Sequence, residues 1–470
     1  VRLRVCFTAV MIIIFWAHAS HAVWRVDADR EVKKAFQDLH FFHEGRGMML
    51  SPGLISAYNF FVPGLGAVDS KTFSNRWGVV FNNEGEISGL NQVEYKGHRV
   101  GVMGCVACHS GRAAGQFVVG LGNKNIDVLQ MGQDIATIES YWKWLVPGIM
   151  KDDTYVDLEE ASMNFANYLA NPDIGNLTQG LVPISFIRGW FYRIHNQPLP
   201  SGMSRGQVKV PFLWGYHEKR KVGQFCDGFG DGTELGWAVA VELAAGQRPE
   251  AVRAYYPKVK AAEESLEHLL PPPYPFELDI LLAARGREIF SNTCIRCHGS
   301  YDRDADGLPL FQAPKWIPWE VVKTDRDRVA GHSEAFNLLV DGNPLKDILR
   351  YKNFQHGYFA PRLEGVWSRF PYLHNGSVPT IADLLTPAAK RPKVFSLERA
   401  GEAERYDKTR MGLTLPKNQR EVLLYQRKAQ YGAREIYDTT RIGHSNQGHE
   451  FFTDLDAASK SALMEYLKTL

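Results

Sequence analysis

Two five-residue segments constrain this 470-residue chain more than any other feature: Cys105-Val-Ala-Cys108-His109 and Cys294-Ile-Arg-Cys297-His298. C-x-x-C-H is the attachment pattern of a c-type haem. Two thiols three positions apart on a turn can each form a thioether to one vinyl group of the macrocycle. The His that follows is then carried beneath the ring, where it supplies a nitrogen to the iron. The competing uses of Cys-x-x-Cys ask for other surroundings. A zinc site needs further ligands in similar Cys/His clusters, and a thioredoxin-type pair does not require His next. The spacing therefore predicts two covalent c-type haems, held by Cys105 and Cys108 and by Cys294 and Cys297, with His109 and His298 as iron ligands.

The beginning of the chain agrees with that chemistry. Arg2 and Arg4 precede an apolar stretch from Val5 to about Ala17, and Ser20-His21-Ala22 ends a run of small residues. This reads as a signal peptide over 1–22, because a spanning helix needs about 20 apolar residues. It predicts a periplasmic or secreted protein, the bacterial setting in which haem is attached covalently. Of six cysteines, Cys6 leaves with the signal, four belong to the two motifs, and Cys226 is left as a single, buried thiol. Lys and Arg number 54 against 52 Asp and Glu, so there is no basic field to hold nucleic acid.

Pro271-Pro272-Pro273-Tyr274-Pro275 reads as a linker, since a proline run cannot continue a helix. It divides the mature chain into 23–270, with the first haem, and 276–470, with the second. Helical periodicity predicts a helix over 276–292, with Leu278, Ile280, Leu281, Leu282, Ala284 and Ile289 as its apolar positions, and a closing helix over 457–470. Further helices are expected at 28–42, 157–170 and 236–246, and a glycine-rich loop at 222–237. No internal repeat is evident beyond C-x-x-C-H. The expected fold class is mainly α: two cytochrome c-type domains, each with one covalent haem, joined by long loops. Asp302-Arg-Asp304-Ala-Asp306-Gly307 opens like a calcium loop, but its twelfth position is Ala313 where a bidentate Glu is required, so it reads as a solvated acidic turn.

Segment 363–385 contains Pro371-Tyr372-Leu373-His374-Asn375-Gly376-Ser377-Val378-Pro379, and Gly448-His449-Glu450-Phe451 follows near the C-terminus. With the two haem motifs, these resemble the bacterial dihaem cytochrome c peroxidase superfamily, and more closely its rubber-oxygenase-like branch. The resemblance covers roughly two-thirds of the chain. It implies a reactive N-terminal haem on His109, which takes dioxygen or hydrogen peroxide, and a six-coordinate relay haem on His298. In the peroxidases a Met fourteen positions after the motif His completes the relay haem; here that position is Ala388. The oxygenase branch uses a His instead, which points to His449, with His444 and Met411 as runners-up. His374 is expected to cap a turn and bond a haem propionate. Trp214 and Phe229, fifteen positions apart, are the counterparts of two oxygenase pocket aromatics, with Phe225 as a competitor and ordinary core packing as the alternative for all three. A peroxidase would instead need Glu234 or Glu242 as acid/base. Its bridging Trp is replaced by Cys226 in Phe225-Cys226-Asp227-Gly228, which favours the oxygenase branch. A plain electron-transfer cytochrome is the third reading, with His195 or His217 closing the first iron. The expected partners are a small electron-donor or acceptor cytochrome, a small oxidant and an apolar organic substrate. A calcium ion between the domains would fit the peroxidase relatives, with no ligands assigned.

Overall fold

The computed structural model describes residues 30–36, 42–43, 46–47, 49–50, 75–95, 98–134, 177–200, 204–216, 248–303, 309–310, 316–331, 333–349 and 356–470. The expected signal peptide, the helices expected at 157–170 and 236–246, the expected glycine-rich loop and Cys226 lie outside them.

The clearest packing unit joins helix Ile280–Asn292 to the closing helix Ala457–Lys468. Both begin on an aspartate cap. Asp279 accepts from the amide of Leu282 at 2.9 Å and Asp456 from that of Ser459 at 2.7 Å. The first helix therefore starts at 280 rather than 276, because residue 279 is spent as its cap. The face it buries is Ala283, Gly286 and Phe290, while Ile280 and Leu281 are exposed. This corrects the apolar face expected from the sequence. Closeness, not bulk, decides the contact: a Cβ on Gly286 would sit 1.9 Å from the carbonyl oxygen of Ala462. Phe290 then meets Tyr466 at 5.2 Å between centroids.

The first half carries short antiparallel pieces. Strands Met49–Leu50, His98–Met103 and Leu90–Tyr95 form a sheet with His98–Met103 in the middle. Ser110–Ala113 pairs with Gln116–Val119 through a two-residue turn at Ala114 and Gly115, both left-handed, as such hairpins require. Leu181–Pro183 pairs with Gln207–Lys209. Of the helix expected at 28–42, the described residues 30–36 are helical, while its last expected residue, Phe42, belongs to a strand, Phe42–His43, paired with Arg46–Gly47.

The proline-rich segment is packed rather than free. Trp367 donates its indole N–H to the carbonyl of Pro272 at 2.8 Å, and Tyr274 lies edge-on to the same ring. One apolar core runs from Val32, Cys105 and Trp214 on one side of it to Trp367, Phe370 and Leu467 on the other. Asp302–Arg303 pairs with Pro309–Leu310, which makes the acidic segment a hairpin whose tip lies outside the described residues.

Candidate metal centres

Each C-x-x-C-H motif folds as a single helical turn, Cys105–Cys108 and Ile295–His298. In both, the amide of the His donates to the carbonyl of the first Cys at 3.0 Å. The four thiols form no disulfide. Burial pushes the Cys108 thiol up to about 11 and raises Cys294 as well. That is the reverse of the lowered pKa a redox Cys-x-x-Cys needs.

The two histidines are oriented alike. His109 Nδ1 bonds the carbonyl of Pro211 at 3.0 Å, and His298 Nδ1 bonds the carbonyl of Pro361 at 2.8 Å. A carbonyl can only accept, so Nδ1 carries the proton in each ring and Nε2 is the nitrogen able to ligate a metal. Pro211-Phe-Leu-Trp-Gly215 and Pro361-Arg-Leu-Glu-Gly365 are the same pattern, P-x-L-x-G. This is an internal repeat the sequence reading missed. Its second element is matched as well. The His109 carbonyl accepts from Gly120 N, whose own carbonyl accepts from Leu213 N, both at 2.8 Å. The His298 carbonyl accepts from Tyr301 Oη at 3.1 Å, and the same oxygen accepts from Leu363 N at 2.7 Å. A glycine peptide in one centre and a tyrosine hydroxyl in the other tie the same two chain segments together.

Opposite His298 stands His449, with ring centroids 6.2 Å apart. A nitrogen ligates at roughly 2 Å and lies roughly 1 Å from its ring centre. Two imidazoles on one metal are thus expected at about 6 Å, which is what is found. His449 is held there by its main chain. Its residue is left-handed (φ 49), as is Gly448 (φ 79), and its amide donates to the carbonyl of Val322 at 2.7 Å. Buried Arg391 donates to the carbonyls of Asn446, Gly448 and His449, while Glu450 accepts from the amide of Ala388. Asn375, in the Pro-Tyr-Leu-His-Asn-Gly motif, donates to the carbonyls of Gly443 and Ser445 at 3.1 Å and so pins the approach to the same loop. Burial first, then the charge of His298, lowers His449 to about 4, and burial lowers His298 too. Both rings are therefore neutral, as ligation demands.

The other candidates fall into place around this pair. His444 is fully buried with both nitrogens engaged, Nε2 with Thr178 Oγ1 at 2.9 Å and Nδ1 with the carbonyl of Ile442 at 3.0 Å. It is a satisfied core histidine. Met411 is buried with a left-handed backbone, its carbonyl accepting from Tyr372 Oη. Ala388, the position of the peroxidase Met, abuts the His449 loop through Glu450. His374 lies in the turn of its motif, stacked on Tyr358 at 5.2 Å, and its carbonyl accepts from Lys209 N. His195 Nε2 bonds the carbonyl of Leu339 at 2.8 Å. Trp214 is buried beside Phe212 and donates to the carbonyl of Glu364. Phe225, Phe229, Glu234, Glu242 and His217 lie outside the described residues. Among the described residues no three His, Cys, Asp or Glu side chains converge as a bare-ion cage would need. Two protein ligands suffice for an iron whose remaining ligands come from a macrocycle. Pro211, Pro361, Tyr301 and Arg391 were missed as supporting residues; the P-x-L-x-G repeat was the signal for the first two.

Residues 357–396 match the RoxA-like, cytochrome c-like family. The chain is 29% identical over 244 residues to the uncharacterized protein y4iM of Sinorhizobium fredii, covering 43% of this chain and 52% of that one. It is 40% identical over 122 residues to the uncharacterized protein y4iJ of the same organism, covering 24% of this chain and 18% of that one. The chain thus spans about half of one relative and under a fifth of the other.

Proposed function

We propose that this chain, whose residues 357–396 are a RoxA-like cytochrome c domain, is an exported dihaem c-type redox enzyme of rubber-oxygenase-like type. It transfers electrons and activates dioxygen at its N-terminal haem. The observation that carries the reading is the His298–His449 pair at 6.2 Å, together with the matched proline carbonyls behind His109 and His298. Haem, when bound, supplies an iron that exchanges single electrons and takes a small oxidant.

The chain's own residues do the rest. Pro211 and Pro361 fix the tautomer and orientation of the two proximal imidazoles and raise their basicity. Arg391, Asn375 and Glu450 hold His449 opposite His298, where the two imidazoles would together hold an iron suited to relay. An iron held by two histidines would have a lower potential than a His/Met iron, which would suit electron donation to the first centre. Trp214 excludes water at the junction of the two segments. The electron partner is a small cytochrome, the oxidant dioxygen, and the organic substrate apolar.

Pyridine haemochrome spectra of the purified, matured protein should count two thioether-linked haems per chain. Reduced protein should then bind one carbon monoxide per chain. Zero would make it a plain electron-transfer cytochrome. Oxygen uptake with an unsaturated hydrocarbon should exceed turnover of hydrogen peroxide with a reduced donor; the opposite order would assign it to the peroxidases, with Glu234 or Glu242 as acid/base.

A further inference from the structure

A small, partly open cleft lies between segments that belong to the two centres, with Lys124, Lys209 and Arg369 on its walls beside Phe212, Phe370 and Tyr437. Lys209 lies within electrostatic reach of both Arg369 and Lys124. Lys209 Nζ donates to the carbonyls of Arg369 at 2.5 Å and Pro371 at 2.7 Å. Lys124 Nζ donates to the carbonyl of Arg112 at 2.9 Å and sits 4.5 Å above the ring of Phe370. The Arg369 guanidinium stacks on Phe212 at 4.1 Å. Lys124 is 7% exposed and Arg369 8%, and Arg369 Nη1 is buried without a hydrogen-bond partner among the described residues. No carboxylate pairs with any of the three among the described residues.

Buried charge is retained in proteins only where it is paired. A lone buried lysine can escape by losing its proton, and burial does bring Lys124 down to about 7 and Lys209 well below its usual range. Arg369 has no such escape: even brought down to about 10 it stays charged. A buried guanidinium with one Nη1 lacking a hydrogen-bond partner among the described residues, flanked by two lysines that would take up protons beside a negative charge, specifies an anion. The location specifies which. Lys209 lies two residues before Pro211, which holds His109, and Arg369 is near enough to His298 for its charge to act on that ring.

We propose that Lys124, Lys209 and Arg369 form a buried carboxylate-binding site between the two haem centres, and that its occupant is a propionate of a bound haem. This rests on the dihaem reading. The site would neutralise a carboxylate between the two centres, so its cations would hold both reduction potentials up; a free small anion would offer the same chemistry from another source.

The test uses the matured holoprotein. Pyridine haemochrome is read first, and fewer than two haems per chain would defeat the dihaem reading and this inference with it. With two haems present, Lys209→Gln and Lys124→Met are each compared with the parent chain by spectroelectrochemical titration, with circular dichroism to confirm folding. Both midpoint potentials should fall in each variant, because an uncompensated carboxylate favours the oxidised iron. Two haems with unmoved potentials would overturn the carboxylate site alone. In a parallel arm, inorganic phosphate is added to the parent protein at constant ionic strength, and no shift is expected. A saturable shift that disappears in Lys209→Gln would assign the site to a free anion and overturn the haem carboxylate as occupant.

Discussion

Trp214 donates its indole N–H to the carbonyl oxygen of Glu364 at 2.8 Å, and this bond joins the two copies of P-x-L-x-G directly. Trp214 is the fourth residue of the first copy and Glu364 the fourth of the second. The segment that holds His109 is thereby fixed against the segment that holds His298. Arg362, ion-paired with Glu364, borders the same junction, and a Cβ on Gly365 would lie 3.0 Å from the Trp214 ring. Trp214→Phe keeps an aromatic ring but loses the bond and the packing of the pyrrole ring, and should lower stability by about 1–3 kcal/mol. Trp214→Ala also opens a cavity and should lose about 3–5 kcal/mol. Urea unfolding of the holoprotein separates the two. A Phe variant as stable as the parent would show that the bond does not hold the junction.

Gly286 offers a test of the helix crossing. Its missing Cβ would stand 1.9 Å from the Ala462 carbonyl and 2.8 Å from Tyr466 Cβ. In an exposed helix Gly→Ala stabilises, by about 1 kcal/mol. Here the sign reverses, since backbone must move. Gly286→Ala should cost about 1–3 kcal/mol or more, while Leu281→Ala, on the exposed face, should stay within about 0.5 kcal/mol. Thermal melts of the two variants decide it, and a stabilised Gly286→Ala would refute the close crossing.

What could be read in advance follows from this physics. C-x-x-C-H is local: five residues fix one turn, so the place of His109 and His298 at the end of that turn was legible from the spacing. His449 was reached only through resemblance, because the forces that put it opposite His298 are main-chain bonds from Val322 and Arg391, far away in sequence. The buried face of helix Ile280–Asn292 was misread for a related reason. Counting bulky apolar residues favours Ile280 and Leu281, whereas the partner helix selects Ala283 and Gly286 for their smallness. P-x-L-x-G was visible in the sequence but meaningless until two carbonyls were seen behind two imidazoles.

Gly448 should matter to the second centre almost as much as His449. At φ 79 a side chain is strained, and a Cβ there would lie 2.3 Å from the Lys323 carbonyl carbon. Gly448→Ala must therefore shift the loop that presents the imidazole. His449→Ala should convert one haem from six-coordinate to open and raise carbon monoxide binding from one to two per chain. Gly448→Ala should do the same in part, while His444→Ala should leave the stoichiometry at one. Visible spectra of the reduced proteins with and without the gas read all three. A change confined to His444→Ala would mean that the relay ligand had been assigned to the wrong histidine.

His444 should instead show itself in the acid limb of stability. Burial, the largest cause, together with the charges of Arg441 and Arg205, lowers it to about 4, against the opposing effects of the Ile442 carbonyl and Asp438. Its other close neighbours, Thr178 and Tyr437, are uncharged. An unfolded histidine titrates near 6.5, so between pH 6.5 and 4 the unfolded chain binds the extra proton and the folded one does not. Stability must then fall as pH drops through that window and level off below it, by about 3 kcal/mol at most. His444→Gln can keep part of the bonding to Thr178 and Ile442 but has no proton to take up. It should be less stable than the parent at pH 7.5, with the gap narrowing toward pH 4. Denaturant midpoints of the two holoproteins across that range measure the gap, and parallel curves would mean that the ring is already charged when folded.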